Sequence, residues 1–223
     1  MKYNRHRTIN RYLWISAVFI WALLIFVGIG ILLLQDKSKP PLYLLKDGDL
    51  IFQTSKSSQS RAIQLATNSV YSHMGMVYKK NADWYVFEAV QTVRLTPLEE
   101  WIQRGKGKHF VVKRLKNAVK ILTPEKLAVM KNIGKGFIGK NYDIYFSWSD
   151  KSMYCSELVW KIFYRALNIK IGELQHLKDF NLTDPSVRDK LIERYGNKVP
   201  YDELVISPKA MFSSDLLKEI MRE

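Results

Sequence analysis

Ser152–Trp160, SMYCSELVW, contains Cys155, the only cysteine among 223 residues. It falls where a serine and an apolar run with helical spacing mark the start of a helix. With Ser152 as N-cap, Met153, Tyr154 and Cys155 fill the first turn. The unpaired amides and the positive end of the helix dipole there favour a thiolate, lowering the thiol pKa from about 8.5. Helical spacing places Cys155, Leu158, Val159, Ile162 and Ala166 on one face, so the thiol turns toward the core. A buried free cysteine is usually a small hydrophobe. A nucleophile requires a base within reach.

His73 is the best candidate base. YSHMGMVYK (71–79) places it at the start of a strand whose alternation puts His73, Gly75 and Val77 on one face. His6 precedes a long apolar run, and His109 and His176 have no comparable setting. A second strand, WYVFEAV (84–90), follows a short polar connection. A tight hairpin with Lys80 and Asn81 at its centre predicts that Lys79 faces Ala82, and hence that His73 faces Glu88. Opposed side chains have Cβ atoms about 4.5–5.5 Å apart, within hydrogen-bonding reach for carboxylate and imidazole. A one-residue slip would separate them. Glu88 is otherwise an odd charge inside an apolar strand, explicable as a guard against edge pairing. Nucleophile, base and orienting carboxylate together make the general logic of covalent acyl transfer.

Four segments in this order, DGDLIFQ (47–53), YSHMGMVY (71–78), YVFEAV (85–90) and KNYDIYFSWSDKSMYCSELVWKIFY (140–164), resemble the YiiX-like branch of the permuted papain-like cysteine hydrolases, relatives of NlpC-type cell-wall peptidases. The resemblance covers about Asp47 to Leu167. In ordinary papain-like enzymes the cysteine helix precedes the histidine strand, whereas here His73 and Glu88 precede Cys155, the order of the permuted branch. The resemblance implies Cys155 as nucleophile, His73 as general base and then acid, and Glu88 as the group orienting His73. It also places Tyr154, Asp49 and Tyr142 in family-like segments, as substrate-pocket candidates. Packing for the tyrosines and a turn cap for Asp49 are the structural alternatives.

The expected fold class is α+β, a small antiparallel sheet packed against helices in a circularly permuted papain-like arrangement, behind an N-terminal transmembrane helix. Residues 12–34, YLWISAVFIWALLIFVGIGILLL, carry no charge and suffice to cross a hydrocarbon core. The run exceeds a signal-peptide core, and LLLQDKSKPP offers no small-residue cleavage site. It reads as an uncleaved signal anchor between a cytoplasmic N-terminus, 1–11, and a linker, 35–41. The hydrolase domain is expected over 42–223. Lys2, Arg5, Arg7 and Arg11 before the span, against Lys37, Lys39 and Lys46 after it, bias the N-terminus inward. That predicts one pass through the inner (cytoplasmic) membrane with the domain on its outer, periplasmic face.

Further strands and helices are expected in the domain. TPLEEWIQRG (96–105) has Thr96 as N-cap, Pro97 at the first helical position and Gly105 at the exit; HFVVKRL (109–115) reads as a strand. TPEKLAVMKNIGKGFIG (123–139) repeats the Thr-Pro start, and the tail reads as helix from Pro208 to Met221.

The net charge is +14, spread through many short basic segments with no nucleic-acid-reading motif, so attraction to anionic lipid or a solvated basic surface accounts for it and no nucleic-acid partner is expected. One cysteine makes no disulfide framework. No His-Glu-x-x-His occurs, so no metal or cofactor is expected. The expected partners are membrane lipid at 12–34 and a substrate carrying an amide or peptide bond: cell-wall peptide, protein or a lipid-linked ester or amide. The alternatives are a lipid-directed thiol esterase or acyltransferase, since the wider superfamily includes lecithin retinol acyltransferase-like enzymes, and a noncatalytic membrane-tethered binding module.

Overall fold

The computed structural model describes residues 41–223. The expected N-terminus 1–11, the span 12–34 and all but the last residue of the linker 35–41 lie outside the described residues. Among the described residues no helix is long and apolar enough to cross a membrane.

After a 3-10 turn at Leu42–Leu44, the order is β1 (Leu50–Ser55), α1 (Ser60–Thr67), β2 (His73–Lys80), β3 (Asp83–Ala89), β4 (Val93–Pro97), α2 (Leu98–Arg104), β5 (Gly105–Leu115), α3 (Ala118–Ile121), α4 (Pro124–Lys135) and α5 (Cys155–Leu167). The remainder holds β6 (Gln175–His176), α6 (Pro185–Tyr195), β7 (Leu204–Val205), α7 (Pro208–Phe212) and β8 (Leu217–Arg222). Six strands form one sheet in the order β4-β3-β2-β1-β5-β8, antiparallel at every pairing. The protein is therefore α+β.

The sheet is covered on both faces. Phe52, Met74, Met76 and Phe87 point toward α5, and Ile51, Val77 and Val86 point toward Trp101 of α2. That is why β1 and the first half of β2 read as continuous apolar runs and not as alternation. Leu158, Val159, Ile162 and Phe163 of α5 are fully buried, each worth about 1.5–3 kcal/mol by removal from water. The helix is enclosed on all sides from Cys155 to Phe163, more than the single expected face. Burial of Glu157 and Lys161 in that stretch is made tolerable by their pairing at 2.7 Å, one turn apart.

Three local expectations are corrected. The hairpin turns at Asn81 and Ala82, with Lys80 facing Asp83, because Asn81 takes the left-handed conformation (φ 57°) that asparagine tolerates. The pairing is thus displaced by two residues, and continuing it sets Glu88 opposite Gly75. Since strand faces repeat every two residues, His73 and Glu88 stay on one face, now diagonally. Secondly, α2 begins at Leu98 with Pro97 as its cap; Thr96 does not cap it because its hydroxyl donates to Glu88. Thr123 does cap α4, accepting from the Lys126 amide. Thirdly, the tail helix ends at Phe212, and Leu217–Arg222 joins the free edge of β5 as a sixth strand.

Candidate active site

The sulfur sits where the sheet opens. The β2–β3 ladder reaches only to Met76 and Phe87, so the Met74 amide has no strand partner on that side and donates instead to Cys155 Sγ, as does the Ser156 amide. Cys155 is the first residue of α5, with Tyr154 and not Ser152 as N-cap. Glu157 reaches back to accept from the Tyr154 amide at 3.3 Å. The N-cap shift leaves Cys155 in the first turn, where unpaired amides and the dipole favour negative charge.

His73 links the two other groups. Its Nε2 lies 2.6 Å from Glu88 Oε2, and the ring is also within hydrogen-bonding reach of Cys155. Trp101 stacks on the imidazole with centroids 6.0 Å apart. Glu88 has no exposed surface, and its second oxygen accepts from Thr96 Oγ1 at 2.5 Å and from Arg104 Nη2. Gly75 makes the diagonal reach feasible: a Cβ there would sit 2.4 Å from Val86 Cγ1 and 3.3 Å from Glu88 Cβ.

The charges reinforce one another. Burial alone pulls the His73 pKa down, but hydrogen bonds and attraction from Cys155 and Glu88 more than reverse this, pushing it up to about 9. Burial pushes Cys155 up, yet His73 and the Met74 and Ser156 amides leave the thiol below its ordinary range. Burial likewise raises Glu88, and His73, Arg104 and Thr96 bring it below the usual carboxylate value. Both shifts favour the thiolate–imidazolium form of the pair, backed by a carboxylate.

Two cavities meet here. One, with a cavity volume of about 90 Å³, is lined by Cys155 and Tyr154 and walled mainly by apolar side chains such as Ile63, Phe180, Val187, Leu191 and Ile206. The other, on the His73 side, is lined by polar groups including Gln53, Ser57, Gln91 and Arg104. Gln59, Ser72 and Tyr142 belong to both. Cys155, only 3% exposed, is therefore not sealed in hydrocarbon.

The six candidate residues separate accordingly. Cys155, His73 and Glu88 are together, and Tyr154 and Tyr142 line the cavities; Tyr154 Oη also accepts from the Ile206 amide at 3.1 Å. Asp49 lines neither cavity: it is fully buried and paired with Arg114 at 2.6 Å, and it accepts from the Lys46 amide at 2.8 Å. Arg104 and Thr96 escaped sequence reasoning. The available signal was that a carboxylate buried in a strand needs a cation and donors nearby.

A chain whose histidine strand precedes a helix-borne cysteine, with that cysteine bonded to the histidine across an antiparallel sheet, is of the permuted papain-like class. The family model described as "Permuted papain-like amidase enzyme, YaeF/YiiX, C92 family" matches residues 44–221, and the chain belongs to this family. It is 48% identical over 176 residues to "Uncharacterized protein YiiX" of Escherichia coli strain K12, covering 79% of this chain and 86% of that one. It also resembles the crystal structure of metalloprotein yiiX from Escherichia coli O157:H7, with TM-score 0.77 and 47% identity, covering 80% of this chain and 97% of that one. That solved protein is described as a metalloprotein. Among the described residues of the present chain, no group of three or more His, Cys, Asp and Glu side chains is arranged to hold a metal ion. His73 lies between Glu88 and Cys155, with its Nε2 on the carboxylate.

Proposed function

We propose that the chain is a thiol amidase in which Cys155 is the nucleophile, His73 the acid–base and Glu88 the group orienting His73. The observation carrying this reading is one imidazole bonded on one side to a buried carboxylate and on the other to a sulfur at a helix N-terminus. The thiolate adds to the substrate carbonyl carbon, forming a C–S bond while the π pair moves to oxygen, where the Cys155 amide donates. On collapse the C–N bond breaks, the departing nitrogen takes the proton of His73, and a thioester remains. Water then loses a proton to His73 as it attacks the thioester. The C–S bond breaks and the thiolate–imidazolium pair returns.

The two cavities give the substrate a direction. His73 protonates the leaving amine, so the amine half belongs in the polar cavity on its side and the acyl half in the apolar cavity beside the sulfur. This favours an apolar acyl group, as in a lipid-linked amide or ester, over a charged peptide on the acyl side.

Iodoacetamide labelling across pH tests the central reading. The expected alkylation profile has its midpoint below the ordinary thiol value of about 8.5. In His73→Ala the midpoint moves alkaline, because burial then acts on an unpaired thiol. An ordinary midpoint in the parent, or an unmoved one in the variant, rejects the thiolate–imidazolium pair.

The uncharged run 12–34 supports a further part of the proposal, that the domain is tethered at the outer face of the inner membrane. Alkaline-carbonate washing should leave the chain in the membrane pellet. Quantitative release of intact chain would count against a spanning anchor.

A further inference from the structure

The oxyanion in the proposed mechanism has one donor so far, the Cys155 amide. The Met74 and Ser156 amides are committed to the sulfur itself, and Gln53 lines only the cavity on the His73 side. Tyr142 is different. Its backbone forms a bridge to Met153, two residues before the nucleophile. The Met153 amide donates to Asn141 at 3.0 Å, the Asp143 amide to Met153 at 3.1 Å, and the Tyr142 amide to Gln91 at 2.9 Å. Whatever fixes Cys155 therefore fixes Tyr142.

The hydroxyl has a defined direction as well as a place. Arg194 Nη2 donates to Gln59 Oε1 at 2.6 Å. A guanidinium cannot accept, so the oxygen of that amide faces Arg194 and its nitrogen faces Tyr142. Gln59 Nε2 then donates to Tyr142 Oη at 2.9 Å. The phenol's lone pair is occupied while its own proton has no protein acceptor among the described residues. That proton is available at the junction of the two cavities, where an attacked carbonyl must lie.

We propose that Tyr142 is a catalytic residue, its hydroxyl being the second donor to the oxyanion, and that Gln59 is a positioning residue which orients it. Burial first, and then the nearby Cys155 charge, push the phenol well above its ordinary pKa, so it stays a donor throughout the working range. The inference rests on Cys155 being the nucleophile.

The test compares two reactions of the same sulfur on the full 223-residue chain. Alkylation by iodoacetamide is a displacement at saturated carbon and forms no oxyanion, whereas acylation by p-nitrophenyl acetate passes through one. In Tyr142→Phe the acylation rate constant should fall about 10²–10³-fold, the usual effect of deleting an oxyanion donor, while the alkylation rate and its pH profile stay within about twofold of the parent. Gln59→Leu should lower acylation less. The double variant should be no slower than Tyr142→Phe alone, because the two residues act as a unit. Acylation within about threefold of the parent in Tyr142→Phe, or acylation and alkylation falling together, overturns the assignment. If Cys155→Ala retains acylation, the nucleophile is misassigned, which is a separate failure.

Discussion

Arg104 shows how much depends on a residue that touches neither sulfur nor histidine. It supplies a cation to a carboxylate with no exposed surface, and so helps keep Glu88 ionised beside His73. Arg104→Met is expected to lower stability at pH 7 by about 1.5–3 kcal/mol, the scale of a hydrogen bond to a charged group. The sign of the pH dependence follows from the depressed Glu88 pKa. Its stabilisation is present above the unfolded carboxylate value and is lost as pH falls through the folded one. Urea melts at pH 7 and at a pH well below the ordinary carboxylate value should therefore show the gap between parent and variant narrowing on the acid side. An equal gap at both pH values would mean that Arg104 contributes packing alone. Sequence reasoning could name Cys155, His73 and Glu88, because residue type and strand parity are local properties. It could not name Arg104, whose role exists only after α2 folds back over the sheet.

At the scale of the element, the hairpin carries the main lesson. Strand parity survived a two-residue error in register, so His73 and Glu88 were placed on the correct face for an incorrect opposition. What the pattern concealed was the need for an empty site between them. In Gly75→Ala the new methyl meets Val86 Cγ1 at 2.4 Å and the Phe87 carbonyl oxygen at 2.8 Å. Overpacking of this kind costs about 1–3 kcal/mol. Moving β3 outward to relieve it also draws Glu88 from His73. The expected outcome is a lower urea midpoint together with an iodoacetamide profile displaced alkaline; an unchanged profile in a destabilised variant would show that the carboxylate does not tune the sulfur. Helix starts were legible where a Thr-Pro pair had no competing partner, as at Thr123. They were misread at Thr96, where a buried acid competes for the hydroxyl.

At the scale of the whole molecule, the region after Leu167 had no legible role in the sequence. In the fold it walls the apolar cavity with Leu177, Phe180, Leu182, Val187 and Leu191, residues that converge only in three dimensions. If that cavity takes the acyl half, octanoyl esters of p-nitrophenol should be hydrolysed more efficiently than acetyl esters. The ceiling is about 0.8 kcal/mol per buried methylene. Leu191→Asp should remove that preference while sparing acetyl hydrolysis, and equal kcat/KM for both esters in the parent would show that the cavity is not the acyl site. The sixth strand has a different kind of consequence. Leu217–Arg222 covers one side of the eleven-residue β5, about a hundred positions earlier along the chain. Until Leu217–Arg222 is in place, β5 presents a bare row of amides and carbonyls to any neighbouring polypeptide. A chain lacking Leu217–Arg222 is thus adhesive in a way that the chain carrying it is not.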